Sequence, residues 1–171
     1  GRLRFHDPRR FSSLDLIETA ELDDVRPLRD LGLEPLDDGF DGATLSGTFA
    51  GRRRAVKTAL LDQSVCVGVG NIYACEALHR CGIAPTRRAG DLTPDECTRL
   101  ALEIRAVLTE ALEAGGSSLR DYVRVDGEDG GFQRRFRVYG RAGEPCPACG
   151  VAVVALTQAG RTTWCCPGCQ R

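Results

Sequence analysis

CPACGVAVVALTQAGRTTWCCPGC, residues 146–169, decides the architecture of the C-terminal end. Two Cys-Pro-x-Cys knuckles stand sixteen residues apart, the pattern of a two-knuckle tetrahedral zinc site. A two-residue gap lets both thiolates of one turn reach a single ion at about 2.3 Å. The insert has the length of a β-hairpin. Val151, Val153, Leu156 and residues 162–164 are strand formers, and Gln158-Ala159-Gly160 supplies the turn. Cys165 and Cys166 compete for the register; Cys166 restores the spacing to Cys169 and leaves Cys165 as a strand residue. The expected ligands of one structural Zn2+ are therefore Cys146, Cys149, Cys166 and Cys169, with no coordination position left for water. Redox dithiols are the competing reading, but neither knuckle follows a strand and opens a helix as a thioredoxin-like pair does. Cys66, Cys75, Cys81 and Cys97 lie on apolar helix faces or ends and read as core fillers.

Upstream of the knuckles the period changes from two to that of a helix. Thr93 as N-cap, Pro94 at the first helical position and Glu96 as the capping-box acid open the longest helix. Leu100, Ile104, Val107, Leu108 and Leu112 form its apolar stripe, and Gly115-Gly116 stops it. Before it, SVCVGVGNIYACEALHRCG (residues 64–82) is a glycine-punctuated apolar run that opens a helix capped by Asn71. Ile72, Cys75, Leu78 and His79 share one face of that helix, and Gly82 with Pro85 ends it. Shorter helices are expected over residues 23–31, with Gly32 as the C′ residue, over residues 41–49, and in the basic stretch 51–63. Residues 3–6 alternate around Phe5 and read as the end of a strand that Asp7-Pro8 stops. GEDGGFQRRFRVYG (residues 127–140) is a glycine-rich loop running into an alternating segment through Phe132, Phe136 and Val138.

With 171 residues, 42% hydrophobic and 27% charged, the chain has the composition of one or two folded domains and not of a disordered segment. It contains no run of the roughly 18 apolar residues that a membrane span needs and no apolar signal-peptide core, so a cytoplasmic protein without membrane contact is expected. Nine cysteines, an odd number, argue against a disulfide framework. The chain starts at Gly1 and has no Met, which predicts a piece of something longer or a processed product. The net charge of -1 conceals a segregation. Residues 12–50 carry ten acids and two arginines; residues 130–171 carry six arginines and one acid, Glu144. Residues 1–11 and 51–71 are also basic. Such blocks suit a polyanion-binding face.

Beyond these physical features, a set of short stretches occurs in one order: DPRRF (7–11), LGLEPL (31–36), KTALLDQ (57–63), GVGNIYACEAL (68–78), GIAP (82–85), GGFQ (130–133), VYGRAGEPC (138–146) and GRTTWCCPGCQ (160–170). In these the chain resembles the C-terminal two-thirds of a bacterial formamidopyrimidine-DNA glycosylase, over essentially its whole length. The resemblance implies a mainly α fold with a small β part. Its parts are the end of an N-terminal catalytic domain with its remnant strand and linker (1–22), a helix-two-turns-helix DNA-binding domain (23–118), a lesion-recognition loop region (119–140) and a β-hairpin zinc finger (141–171). It also implies a monomer that binds damaged duplex DNA, excises oxidised purines such as 8-oxoguanine and formamidopyrimidines, and cleaves the abasic sugar by β,δ-elimination.

The resemblance assigns roles that the residues alone leave open. Arg161, otherwise a surface arginine, becomes a phosphate ligand whose guanidinium forks onto two oxygens from a metal-stiffened loop. Asn71, otherwise an ordinary N-cap, becomes the second phosphate ligand at a helix N-terminus. Lys57 adds a point charge to the same backbone. Arg9 fills the void left by an everted base, and Phe11, a core residue by periodicity, wedges beside it. Ser12 departs from the family's usual Gly after this Phe. The loop 125–132 resembles the flap over the flipped base; Tyr122 and Gln133 flank it without an assigned role. The family's nucleophile is the amine of an N-terminal proline backed by a glutamate, and Gly1 is neither. No catalytic residue is therefore expected in this chain, which is predicted to bind duplex without cutting it. An endonuclease VIII-type glycosylase for oxidised pyrimidines and a stand-alone zinc-finger DNA-binding module are the alternatives; DPRRF and GNIYA favour the purine-specific branch.

Overall fold

The computed structural model describes residue 5, residues 13–117 and residues 130–171. The chain divides into two compact units, Gly1–Asp30 and Leu31–Arg171. In the first, a 3-10 turn at Thr19–Asp24 precedes a single helical turn, α1 (Arg26–Arg29). The helix expected over residues 23–31 is interrupted because Val25 is extended, with ψ 121°. Gly32 is not its C′ residue. Its N–H donates to the Gln63 carbonyl at 2.8 Å, and a Cβ at this position would lie 2.6 Å from the Ser64 and Val65 backbone. Glycine is needed there because two chain segments touch. The strand expected at residues 3–6 lies, apart from Phe5, outside the described residues.

The second unit is mainly α with a small antiparallel hairpin. Its helices are α2 (Gly42–Phe49), α3 (Val56–Leu60), α4 (Asn71–Cys81) and α5 (Pro94–Glu113), and its strands are β1 (Val154–Gln158) and β2 (Arg161–Cys165). The α5 start is the expected capping box: Thr93 Oγ1 accepts the Glu96 N–H at 3.2 Å, and a Glu96 carboxylate oxygen accepts the Thr93 N–H at 2.9 Å. α5 packs against α2 and α4 over a core that includes Leu45, Phe49, Val56, Leu60, Leu78, Leu100, Ile104 and Val107. Leu112, expected in the stripe, is 67% exposed, and Ala111 is buried in its stead. Two turns beyond Ile104 the helix brings position 111 back to the core face and carries position 112 past its edge. Among the described residues no helix is long and apolar enough to cross a membrane.

α4 is the spine of this unit. Its N-cap is Gly70, in extended conformation, and Asn71 is the first helical residue, so the expected cap is displaced by one position. Burial runs continuously from Ala74 to His79 and is not confined to one face. Within that run Glu76 accepts backbone N–H bonds from Arg137, Val138 and Tyr139 at 2.9 to 3.0 Å, a buried carboxylate fully used in tying the later chain to the helix. Arg80 forks onto Glu110 of α5 at 2.6 and 2.8 Å. The expected alternating segment at Phe132 is instead a 3-10 turn, Phe132–Arg135, which plugs Phe132 into the helical core. From there a line of rings, Tyr73, Phe132, Phe136, Tyr139 and Trp164, with centroids 4.3 to 5.8 Å apart, leads into the hairpin.

Candidate metal centre and nucleic-acid interface

The hairpin pairs Val154 with Cys165 at its base and Gln158 with Arg161 at its tip, closed by the two-residue turn Ala159-Gly160. At the base the Sγ atoms of Cys146, Cys149, Cys166 and Cys169 all lie within 4.8 Å of one another. Contacts cross between the knuckles: Cys149 to Cys166 at 3.4 Å and Cys146 to Cys169 at 3.8 Å. A tetrahedral ion with sulfur at about 2.3 Å spaces its ligands about 3.8 Å apart, so the donor set and its dimensions fit one such ion. Cys165 is a buried strand residue facing Val154, and Cys166 joins the cluster, as the spacing predicts.

Metal-free, the four thiols cannot share charge evenly. Burial pushes the Cys146 thiol up, but the Ala148 amide, the His79 ring and the Cys149 amide outweigh it and hold the thiol at about 6. Cys169 is pushed up to about 12, first by its bond with Cys149 and then by burial. A dication held by Cys146, Cys149, Cys166 and Cys169 would remove the conflict by taking all four as thiolates. The other cysteines behave as core residues: burial pushes Cys66 and Cys81 up to about 12, and Cys75 and Cys97 are buried thiols raised by the same cause.

At the tip, three of the expected binding residues meet around the carbonyl of Thr162, the second residue of β2. Asn71 Nδ2 donates to the Thr162 carbonyl at 2.9 Å. Lys57 Nζ donates to Thr163 Oγ1 at 2.6 Å and to the same Thr162 carbonyl at 3.4 Å. Arg161, one residue before that carbonyl, is exposed. Lys57 is fully buried, not a surface point charge; burial, reinforced by Arg161 and opposed by Cys75, draws its ammonium below its ordinary value. The Asn71 carboxamide oxygen is buried without a protein partner among the described residues. α4 therefore presents its N-terminus, with the free backbone amides and the positive dipole end that every helix start carries, beside a basic hairpin tip.

The finger is fastened to the helices along its length. Gln158 Nε2 donates to the Pro85 carbonyl at 3.1 Å. Gln170 donates to the Ile83 carbonyl and accepts the Cys166 N–H, both at 2.8 Å. Arg171 N–H donates to the Gly82 carbonyl at 3.0 Å. Arg9, Phe11, Tyr122 and most of the loop 125–132 lie outside the described residues, while Gln133 Nε2 donates to the Gly130 carbonyl. Sequence reasoning missed Glu76, the Lys57–Thr163 bond and the contact of His79 with Cys146, because each joins residues at least 60 positions apart.

Comparison with known proteins identifies the family. The family model for the formamidopyrimidine-DNA glycosylase H2TH domain matches residues 31–123. The formamidopyrimidine-DNA glycosylase of Gluconobacter oxydans is 53% identical over 167 residues, covering 96% of this chain and 60% of the relative. The chain thus spans about 60% of the length of the curated relatives it matches. The crystal structure of the MutM (Fpg) protein from Thermus thermophilus superposes with a TM-score of 0.90 at 47% identity, over 97% of this chain and 63% of that one. The Lactococcus lactis Fpg (MutM) protein, solved in complex with DNA containing Fapy-dG, gives 0.80 at 31% identity, over 90% of this chain and 56% of that one. The chain belongs to the formamidopyrimidine-DNA glycosylase H2TH family.

Proposed function

We propose that this chain is the DNA-gripping part of a formamidopyrimidine-DNA glycosylase, a base-excision repair enzyme that removes oxidised purines such as 8-oxoguanine and formamidopyrimidines from duplex DNA and then cleaves the abasic sugar. The observation that carries this reading is the meeting of Lys57, Asn71 and Arg161 at the Thr162 peptide. Arg161 projects a fork for two phosphate oxygens. The N-terminus of α4 adds free amides for a neighbouring phosphate, and Asn71 holds the hairpin tip against it. The buried Lys57 fixes Thr163 and supplies positive potential from beneath. In the family reading Arg9 and Phe11 fill and wedge the gap left by the extruded nucleotide.

The division of labour follows the same lines: residues 23–118 form the helix-two-turns-helix grip, 119–140 the lesion-recognition region and 141–171 the finger, behind the end of the catalytic domain at 1–22. One structural Zn2+ held by Cys146, Cys149, Cys166 and Cys169 keeps the hairpin rigid enough to aim Arg161. The protein acts as a monomer in the bacterial cytoplasm. Excision belongs to the whole protein, since this chain spans about 60% of the length of its curated relatives.

Fluorescence anisotropy with an 8-oxoguanine duplex over a salt series tests the grip. Arg161→Ala is expected to weaken binding about tenfold and to reduce the slope of log affinity against log salt by about 1. An unchanged affinity and slope would overturn the assignment. Borohydride treatment of the same complex is expected to leave no covalent adduct on this chain.

A further inference from the structure

His79 stands in the last turn of α4, and its Nε2 lies 3.3 Å from Cys146 Sγ, with both side chains buried. The other ring nitrogen, Nδ1, is buried without a hydrogen-bond partner among the described residues. A neutral imidazole has one N–H to place. Placed on Nδ1, it would be an orphaned buried donor, and the Nε2 lone pair would face the sulfur's own. Placed on Nε2, it points at the sulfur, and only a lone pair is left without a partner. The local geometry therefore selects the Nε2–H tautomer, donating to Cys146.

We propose that His79 is a positioning residue of the metal centre: its Nε2–H donates to the Cys146 thiolate, so that the helical part of the unit stabilises one of the ion's four ligands. Four thiolates around a dication carry a net charge of -2, and Cys146 is the buried member of the first knuckle. A donor from outside the knuckle spreads that charge, fixes the sulfur's direction and slows its exchange. The same helix begins at Asn71, which holds the hairpin tip, so α4 grips the finger at both ends, tip and metal.

This inference rests on the metal reading of the cluster, and one experiment separates the two. The chain is loaded with Co2+ or Zn2+. The Co2+–thiolate spectrum and the affinity in chelator competition are then compared for wild type, His79→Leu, which keeps bulk without a donor, and His79→Gln, which keeps an N–H. His79→Leu is expected to hold metal about 10- to 100-fold more weakly, with the sulfur-to-cobalt band moved to lower energy as the thiolate becomes more electron-rich. His79→Gln is expected to recover most of both effects. A wild type without a tetrahedral Co2+–thiolate spectrum overturns the metal reading itself. A wild-type spectrum with His79→Leu indistinguishable from it, or with His79→Gln as impaired as His79→Leu, overturns the role of His79 alone. Far-UV circular dichroism of each variant identifies one that has lost α4, and His79→Gln then decides.

Discussion

Ala159 is the one residue of the hairpin whose side chain opposes its backbone. It sits at φ 47°, the left-handed region, and with Gly160 at φ 73° forms a two-residue turn with both central residues at positive φ. Such turns favour Asn-Gly, because a β-carbon in this region costs about 1 kcal/mol that asparagine partly recovers by local hydrogen bonding. Ala159→Asn is therefore expected to raise the thermal midpoint of the metal-loaded protein by about 2 to 4 °C, measured by circular dichroism; an unchanged or lowered midpoint would contradict the strain. The turn itself was legible in the sequence, since Gly160 lies between two strand-forming runs. The other residues that shape the tip were not. Lys57 reads as one more cation in a basic stretch, and only the fold reveals that Thr163, 106 positions later, accepts its hydrogen bond. Glu76 has no role in the sequence reading, yet in the fold three amides from residues 137–139 close over it. Periodicity reports which way a side chain faces relative to its own helix, and a partner of distant sequence leaves no trace in it.

α5 was readable because its start signals are local. Thr93, Pro94 and Glu96 sit within four positions; Thr93 and Glu96 satisfy one another's amides, and Pro94 has no N–H to leave unpaired. α1 was misread because Val25 and Gly32 answer to conformation and contacts beyond the local period. The α5 cap does further work, since Arg87 forks onto the same Glu96 at 2.5 and 2.9 Å and ties the loop after α4 to the helix. That ion pair first, and the Thr93 amide after it, overcome the opposing effect of burial and hold the Glu96 carboxyl at about 2, against its ordinary 4.5. The sign follows. A depressed acid binds fewer protons folded than unfolded, so its contribution is complete above pH 4.5 and drains away as the pH falls through 2. Glu96→Gln keeps an acceptor for the Thr93 amide but removes the charge. It is expected to cost about 1 kcal/mol at pH 7 in urea unfolding and progressively less as the pH drops below 4.5. A difference that stayed constant down to pH 2 would assign the effect to packing, not to charge.

Across the Leu31–Arg171 unit, stability is divided between two cores of different kinds. The helical core is a large apolar cluster that contains no metal ligand, whereas the finger core is Cys75, Val138, Cys146, Val153 and Cys166, two of them ligands. In the metal reading, a hairpin with so little apolar surface depends on an ion held by its four cysteines, whose binding to sites of this type is worth about 10 kcal/mol or more. Removing the metal should thus melt the finger and leave the helices standing. Trp164, the single tryptophan, is half-buried in β2 and packs on Tyr139 with ring centroids 4.3 Å apart, so its emission reports the finger selectively. On chelation its emission is expected to shift to the red while the helical far-UV signal is largely kept. Duplex affinity should fall with the tryptophan signal, because Lys57 and Asn71 lose their acceptors on β2 and Arg161 loses its rigid mount. If helix and tryptophan signals collapsed together, the seams at Glu76, Gln170 and the aromatic line would be strong enough to make one cooperative unit of both cores. If tryptophan shifted and DNA still bound as tightly as before, the hairpin tip would not be part of the grip.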